Sequence, residues 1–145
     1  MDRGEAINVS KKIILELRDR LSIYQAAVIL TVIRKGEEWE FFANKLKEIK
    51  NIFDNLPKLY SQEDVKDPVV HLHYFKGDMD AYITEGEGNE GFGWVELLPG
   101  CGELGYVFLP DYPMNGFELD MYWIPKPLSE ALKERPATKS RERSK

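Results

Sequence analysis

Cysteine is almost absent from this chain of 145 residues, in which Cys101 is the only thiol. A single cysteine cannot form an intrachain disulfide, so the disulfide frameworks of small secreted domains and cysteine-rich zinc sites are excluded. The chain also lacks a long apolar run, because its most apolar stretch, 24–33, is about half as long as a membrane span. Its first residues, MDRGEAINVSKK, are charged and do not resemble a signal peptide. We therefore expect a cytoplasmic protein.

Basic residues are missing from one long segment. Residues 77–125 contain no lysine, arginine or histidine, whereas 1–76 have a net charge of +1 and 126–145 a net charge of +4. The ten acidic residues of the segment are Asp78, Asp80, Glu85, Glu87, Glu90, Glu96, Glu103, Asp111, Glu118 and Asp120. Charge asymmetry of this kind concerns the partners of a protein rather than its fold. The segment should attract a positively charged surface and repel phosphates.

Apolar residues recur at helical spacing in the first part of the chain, 10–56. The predicted helices are 10–21, 23–35 and 37–56. Ser10 and Ser22 stand where N-caps of the first two helices are expected, and Gly36 stands where a glycine would end the second. The second helix is apolar on most sides, which predicts that it is the most buried. Its short connection to the third helix predicts an antiparallel helical hairpin.

A strand-rich part, 69–125, follows after a proline-bounded linker, 57–68. The predicted strands are 69–75, 80–85, 91–97, 104–109 and 117–123, separated by glycine- and proline-rich turns. Short sequential connections favour an antiparallel meander. With a short helix at 127–134, the sequence predicts a single α+β domain over 1–135, whose N-terminal helices pack on one face of an antiparallel sheet of about five strands. Residues 136–145 are predicted to form a disordered basic tail.

Four acidic residues form a candidate site. The last predicted strand alternates cleanly, so Glu118 and Asp120 share one face and point away from the core. Glu85 and Glu103 would join them if their strands were neighbours. A carboxylate cluster of this kind binds hard cations such as Mg²⁺, Mn²⁺ or Ca²⁺, or supplies general acid–base catalysis. The alternative is a set of solvated charges on an exposed sheet face, for which no cofactor is expected.

Two histidines form a second candidate. His71 and His73 are two residues apart, so on a strand both project to one face. Such a pair can begin a Zn²⁺ site, although the remaining ligands would have to be carboxylates. Alternation places Val70, Leu72 and Tyr74 on the core face of the strand. We therefore expect the histidines to face solvent or an interface.

Several motifs in the chain are shared with a known family. The segments concerned are IYQAAVILTVIRKGEEWEFF, VVHLHYFKGDMDAYITE, FGWVELLPGCGELGYVFL and FELDMYWIPKPLSE. They include Thr84 and Glu85 at the end of a strand, an ELGY motif that begins at Glu103, and the acidic pair Glu118 and Asp120. These segments resemble an uncharacterised bacterial family catalogued as domain of unknown function 2958. The resemblance implies an accessory protein of plasmids, integrative elements or phages, but no activity, cofactor or catalytic residue.

The acidic segment favours a non-enzymatic protein-binding module that binds a basic surface of a partner. In a sharper form, its carboxylates would imitate DNA, which carries one charge per roughly 1.7 Å of axis, and block a DNA-binding defence protein. The alternative is a metal-dependent hydrolase or nuclease that uses the four carboxylates. Self-association through Tyr82, Trp94, Tyr112 and Tyr122 is a hypothesis of another class. Direct nucleic-acid binding is not expected, because an acidic sheet repels phosphate, and no membrane partner is expected.

Overall fold

A computed structural model describes residues 1–135 of the chain, so the predicted tail, 136–145, lies outside the described residues. The first three helices are α1 (Arg3–Glu16), α2 (Ile23–Lys35) and α3 (Trp39–Asp54). Helix α1 begins before the predicted start, because Asp2 caps it by accepting a hydrogen bond from the Glu5 N–H at 2.8 Å. The prediction that Ser10 is an N-cap was wrong, since Ser10 is buried within α1.

Helix α2 begins and ends where the sequence predicts. Its N-cap is Ser22, whose hydroxyl accepts a hydrogen bond from the backbone N–H of Gln25 at 3.0 Å. The three helices pack against one another. The prediction that α2 is the most buried helix was wrong, because Ile23 and Tyr24 are 89% and 87% exposed. Only one stripe of α2, with Ile29 and Ile33, enters the core.

The three middle strands agree closely with the predicted ones, whereas the predicted strand 69–75 is divided into two and the predicted strand 117–123 is much shorter. The strands are β1 (Val69–Val70), β2 (Leu72–Lys76), β3 (Met79–Glu87), β4 (Glu90–Glu96), β5 (Glu103–Phe108), β6 (Glu118–Leu119) and β7 (Lys126–Pro127). Two short helices complete the described chain, α4 (Asp111–Met114) and α5 (Leu128–Lys133). The single turn of α4 and the two residues of β7 are too short to produce a periodic pattern in the sequence.

The main sheet has five antiparallel strands in the order β5-β4-β3-β2-β6, and β1 pairs with β7 in a separate two-stranded sheet. The predicted meander is therefore present from β2 to β5. The last strand crosses to the opposite edge, where it pairs with β2. It contains two residues rather than the predicted seven, because the chain turns at 121–122. The α+β class and the helical layer on the sheet are as predicted.

The two faces of the sheet have different neighbours. One, called here the helix face, contributes Leu72, Tyr74 and Ile83 to the core that they share with α1, α2 and α3. The opposite face, called here the outer face, carries Tyr82 and Trp94, which pack with residues of α5 in a second, smaller apolar cluster. Helix α5 covers only part of the outer face. Among the described residues, 1–135, no helix is long and apolar enough to cross a membrane.

Candidate functional site

An imidazole between two carboxylates lies on the outer face of the sheet. His73 Nε2 is 2.8 Å from Asp80 Oδ1, and His73 Nδ1 is 3.1 Å from Asp120 Oδ2. His73 belongs to β2, Asp80 to β3, and Asp120 follows β6 directly. Two neighbouring strands and the residue that follows a third therefore contribute one residue each to this cluster, which we call the His73 cluster.

The register of the strands brings these residues together. Lys76 pairs with Met79 across the two-residue turn at 77–78, which places Phe75 opposite Asp80 and His73 opposite Tyr82. Opposite residues of an antiparallel pair share a face. On the other side of β2, the Asp120 N–H donates to the His73 carbonyl oxygen at 2.8 Å. This bond extends the pairing of β2 and β6 by one residue and holds the Asp120 carboxylate beside the imidazole.

Aromatic rings enclose the imidazole. The ring of Tyr82 stacks on that of His73 with a centroid distance of 4.6 Å and an interplanar angle of 5°, and the Trp123 ring lies at 5.2 Å. Asp80 is buried and Asp120 is partly buried. Burial raises the pKa of Asp120, but the His73 hydrogen bond, the Tyr122 N–H and the charges of His73 and Lys126 outweigh it and leave that pKa lowered.

The hydrogen bonds of the cluster restrict its chemistry. Each ring nitrogen of His73 is within hydrogen-bond distance of a carboxylate oxygen, Nε2 of Asp80 and Nδ1 of Asp120. While these two contacts are kept, neither ring nitrogen is open to a metal ion or a substrate. The His73 cluster connects β2, β3 and β6 on the outer face.

A cleft of about 540 Å³ opens beside the cluster, between the sheet and α5. Its lining includes His73, Phe75, Asp78, Asp120, Tyr122 and Trp123. The lysine and arginine side chains that line the cleft already have partners. Lys126 Nζ is 2.5 Å from Glu134 and lies over the Trp123 ring at 4.8 Å, and Arg135 forms an ion pair with the buried Glu96. The cleft therefore combines aromatic walls with carboxylates in excess of cations.

The four predicted carboxylates do not meet. Glu103 lies on β5 and Glu118 on β6, which are the opposite edges of the five-stranded sheet. At a strand spacing of about 4.8 Å, four intervals separate these edges by roughly 19 Å. Glu118 and Asp120 are neighbours in the chain, and Asp120 is held by His73, whereas Glu118 is exposed. Glu85 and Glu103 were expected to join them only if their strands were neighbours of the last strand, and neither β3 nor β5 is next to β6.

Glu85 has a structural partner instead. Its two carboxylate oxygens accept hydrogen bonds from the backbone N–H groups of Tyr60 and Gln62, at 3.1 and 2.7 Å. Glu85 is buried, and these bonds fasten the predicted linker, 57–68, to the end of β3. A buried carboxylate that accepts backbone hydrogen bonds stabilises a loop. It is not available to a ligand in this conformation.

The two predicted histidines have different surroundings. His73 does not face solvent as expected but lies between its carboxylates, with 13% of its side chain exposed. The backbone N–H of His71 donates to the Ile83 carbonyl oxygen at 2.9 Å, and burial lowers the pKa of the His71 side chain. Within the described part of the chain, no group of three or more histidine, cysteine, aspartate or glutamate side chains is arranged to hold a metal ion.

Sequence reasoning missed Asp80, Glu96 and Arg135. A signal for Asp80 exists in the short turn at 77–78, where Gly77 adopts a φ of +56°. A two-residue hairpin turn fixes the register of its strands, and this register would have placed Asp80 on the face of His73. No comparable signal exists for Arg135, because its contact with Glu96 depends on how α5 packs against the sheet.

The acidic residues of 77–125 do not form one continuous charged face. Asp80, Glu85 and Glu96 are buried, and Asp120 is engaged by His73. The remaining six acids are exposed at turns, at strand ends or on α4. Imitation of a DNA backbone needs a dense row of exposed carboxylates. The distribution is better suited to local contacts with individual basic side chains.

Comparisons with known proteins add no relative. No family model, no curated protein and no solved structure matches the chain.

Proposed function

We propose that this protein is a non-enzymatic binding module that accepts basic side chains of a partner protein in the cleft on its outer face. The observation that supports the proposal is the composition of that cleft. Aromatic rings and carboxylates line it together, while its own cations, Lys126 and Arg135, are engaged by Glu134 and Glu96. An arginine or lysine side chain gains from both kinds of group, through ion pairing and through contact with the aromatic faces.

The position of the carboxylates favours a partner that binds along the surface. Asp78 lines the cleft, and Glu118 stands on the same face of the sheet as Phe75, with which it is paired in register. Both are exposed. A basic segment that lies in the cleft would meet Asp78 and the ring of Phe75, and one that continues past β6 would reach Glu118 in the neighbouring groove against α2. Electrostatic contacts of this kind increase the association rate and specificity more than the affinity.

A metal-dependent hydrolase has less support. It was proposed for four carboxylates, of which Glu85 holds a loop and Glu103 lies at the far edge of the sheet from Glu118. The remaining candidate, Asp120, is hydrogen-bonded to His73. A two-metal mechanism needs carboxylates that converge within a few ångströms.

Fluorescence anisotropy with an arginine-rich peptide tests the proposal, with a glutamate-rich peptide of equal length as the negative probe. We expect only the arginine-rich peptide to bind. Its Kd should rise steeply when the NaCl concentration is increased. The double variant Asp78→Asn with Glu118→Gln should weaken binding about three- to tenfold, which corresponds to the loss of two exposed ion pairs.

The matched control is Glu87→Gln with Glu90→Gln. These residues are exposed at the turn between β3 and β4, away from the cleft, and the control changes the net charge by the same amount. It should leave the affinity nearly unchanged. Equal weakening by both double variants would show that only the overall charge attracts the peptide, and binding that is insensitive to salt would also contradict the proposal.

A further inference from the structure

Strand β5 forms one edge of the main sheet, and no strand of the described chain pairs with its outer side. Its alternate residues Leu104, Tyr106 and Phe108 share a face with the β4 residues Trp94, Phe92 and Glu90. The side chains of Leu104, Tyr106 and Phe108 are 49%, 58% and 48% exposed. The edge contains neither lysine nor proline, which are the residues that natural proteins place on such strands to prevent pairing.

The backbone groups that point outward from this edge belong to the same three residues. The Leu109 N–H donates to the Asn89 carbonyl oxygen, at the point where β5 ends beside β4. In an antiparallel ladder, alternate residues direct both backbone groups to the same neighbour. Val107, Gly105 and Glu103 lie two, four and six residues before Leu109. Their backbone N–H and C=O groups therefore point toward β4, as those of Leu109 do. The N–H and C=O groups of Leu104, Tyr106 and Phe108 therefore face away from the sheet.

The other edge of the sheet is closed. There, the outward N–H and C=O of Leu119 in β6 are both bound by the side-chain amide of Gln25 in α2, at 2.9 and 2.7 Å. The edge at β6 is also only two residues long. The open edge at β5 is longer and more apolar than the edge at β6, and an open edge of this kind is a template for the addition of a strand.

We propose that a second copy of this chain pairs with β5, and that the two β5 strands run antiparallel about a two-fold axis at Tyr106. In this register Tyr106 faces Tyr106 of the other copy, and Leu104 faces Phe108. The outward backbone groups of these residues then form about six hydrogen bonds between the copies. The two main sheets join into one continuous sheet of ten strands.

The sequence of β5 is complementary to itself in this register. All facing pairs on the outer face are apolar, and Gly105 faces Val107 on the helix face, where a Cβ atom at Gly105 would meet no other atom within 4 Å. The two Glu103 residues lie at opposite ends of the paired strands, about 20 Å apart at 3.4 Å per residue, so their charges do not oppose the pairing. A register shifted by two residues would instead place Glu103 opposite Val107 and form only about four hydrogen bonds.

The interface would be of modest size. Leu97 and Leu98, in the loop before β5, are 53% and 67% exposed and extend the apolar edge. Together with the exposed parts of Leu104, Tyr106 and Phe108, they represent at most about 1,000 Å² over two copies, which lies at the lower limit of specific interfaces. The dimer should therefore dissociate on dilution, with a Kd in the micromolar range.

Sedimentation equilibrium over a wide concentration range tests the proposal. We expect a reversible monomer–dimer equilibrium, with a Kd that rises at least tenfold in Tyr106→Lys, because this variant places two ammonium groups opposite each other at the axis. Tyr24→Lys is the matched control, since Tyr24 is also exposed and its neighbour Gln25 contacts β6, at the edge of the sheet opposite β5. It should dimerise like the unchanged chain. Circular dichroism and thermal unfolding should show that both variants are folded.

Disulfide cross-linking tests the register. In a Cys101→Ser background, Tyr106→Cys places two thiols directly opposite each other, with Cα atoms about 5.5 Å apart, and should form a covalent dimer under mild oxidation. Leu104→Cys separates the two thiols by about 14 Å and should not. A chain that stays monomeric at the highest concentration, a dimer that Tyr106→Lys leaves intact, or a preference of the cross-link for position 104 would overturn the proposal. A monomeric chain whose β5 accepts only an unrelated strand peptide would overturn it as well.

Discussion

Gln25 acts as an additional strand residue for Leu119. Its side-chain amide donates to the Leu119 carbonyl oxygen at 2.7 Å and accepts from the Leu119 N–H at 2.9 Å. This is the hydrogen-bonding pattern that a neighbouring strand would provide. The pair connects α2 to the edge of the sheet across 94 residues of sequence. It both docks the helical layer and occupies the backbone groups of β6.

Replacement of Gln25 should therefore be costly. Gln25→Ala removes two hydrogen bonds and leaves the Leu119 backbone without these partners, so we expect the free energy of unfolding to fall by about 2 kcal/mol. Urea unfolding followed by circular dichroism measures the change. The matched control is Thr31→Ala, also in α2, whose exposed hydroxyl bonds only to the Ala27 carbonyl oxygen of its own helix. A loss in Gln25→Ala no larger than in this control would contradict the role assigned to the pair.

The His73 cluster should also stabilise the fold. His73→Ala leaves the buried Asp80 and the partly buried Asp120 without their shared imidazole, and loss of one partner from a buried ionic cluster typically costs about 3 kcal/mol. The neighbouring His71→Ala is the control, and we expect a loss of only about 1 kcal/mol from the half-buried side chain. Thermal unfolding of both variants at neutral pH distinguishes them. Equal losses would show that the carboxylates do not depend on His73.

Local patterns predicted most of the fold, whereas the site depends on contacts between distant residues. The positions of α2 and of β2 to β5 follow from capping, periodicity and turns, which are properties of a few adjacent residues. The alternation of the last strand correctly placed Phe117, Leu119 and Met121 in the core. It failed at Trp123, which packs on the outer face because the chain turns at 121–122 and the indole N–H donates to the Val70 carbonyl oxygen.

The pairing of the last strand explains why the predicted acidic site did not form. Whether Glu103 and Glu118 are neighbours depends on which edge of the sheet the last strand joins, and the connection of nine residues between β5 and β6 permits either edge. The choice follows from tertiary contacts such as that of Gln25 with Leu119, which no local pattern encodes. Charge was visible in the sequence, but the burial of Asp80 and Glu96 was not.

His71 should make stability depend on pH near neutrality. Burial lowers its pKa in the folded state below the ordinary value of 6.5, so the unfolded chain binds a proton more readily than the folded one. Stability should therefore rise with pH between the folded-state pKa and 6.5, and level off above that. His71→Gln removes the titrating group, and its free energy of unfolding should depend less on pH over pH 5.5 to 7.5, as measured by urea unfolding. Parallel pH profiles for the two proteins would contradict this assignment.

The ion pair of Arg135 and Glu96 should hold α5 against the sheet. Glu96 is 1% exposed, and the Arg135 guanidinium reaches it from beyond the end of α5, where its Nε also donates to the Leu132 carbonyl oxygen at 3.2 Å. Arg135→Met keeps much of the side-chain volume but removes the cation that pairs with the buried Glu96 carboxylate. We expect the free energy of unfolding to fall by about 3 to 5 kcal/mol.

A second variant separates the charge from the packing. Glu96→Gln combined with Arg135→Met removes both charges at nearly constant volume, and we expect it to recover at least half of the loss, because the buried carboxylate is removed together with the cation that pairs with it. Urea unfolding of the two single variants and the double variant forms a thermodynamic cycle that yields the coupling free energy. A double variant whose loss equals the sum of the single losses would show that the two side chains are not coupled. The packing of α5 on Tyr82 and Trp94 would then depend on the apolar cluster alone.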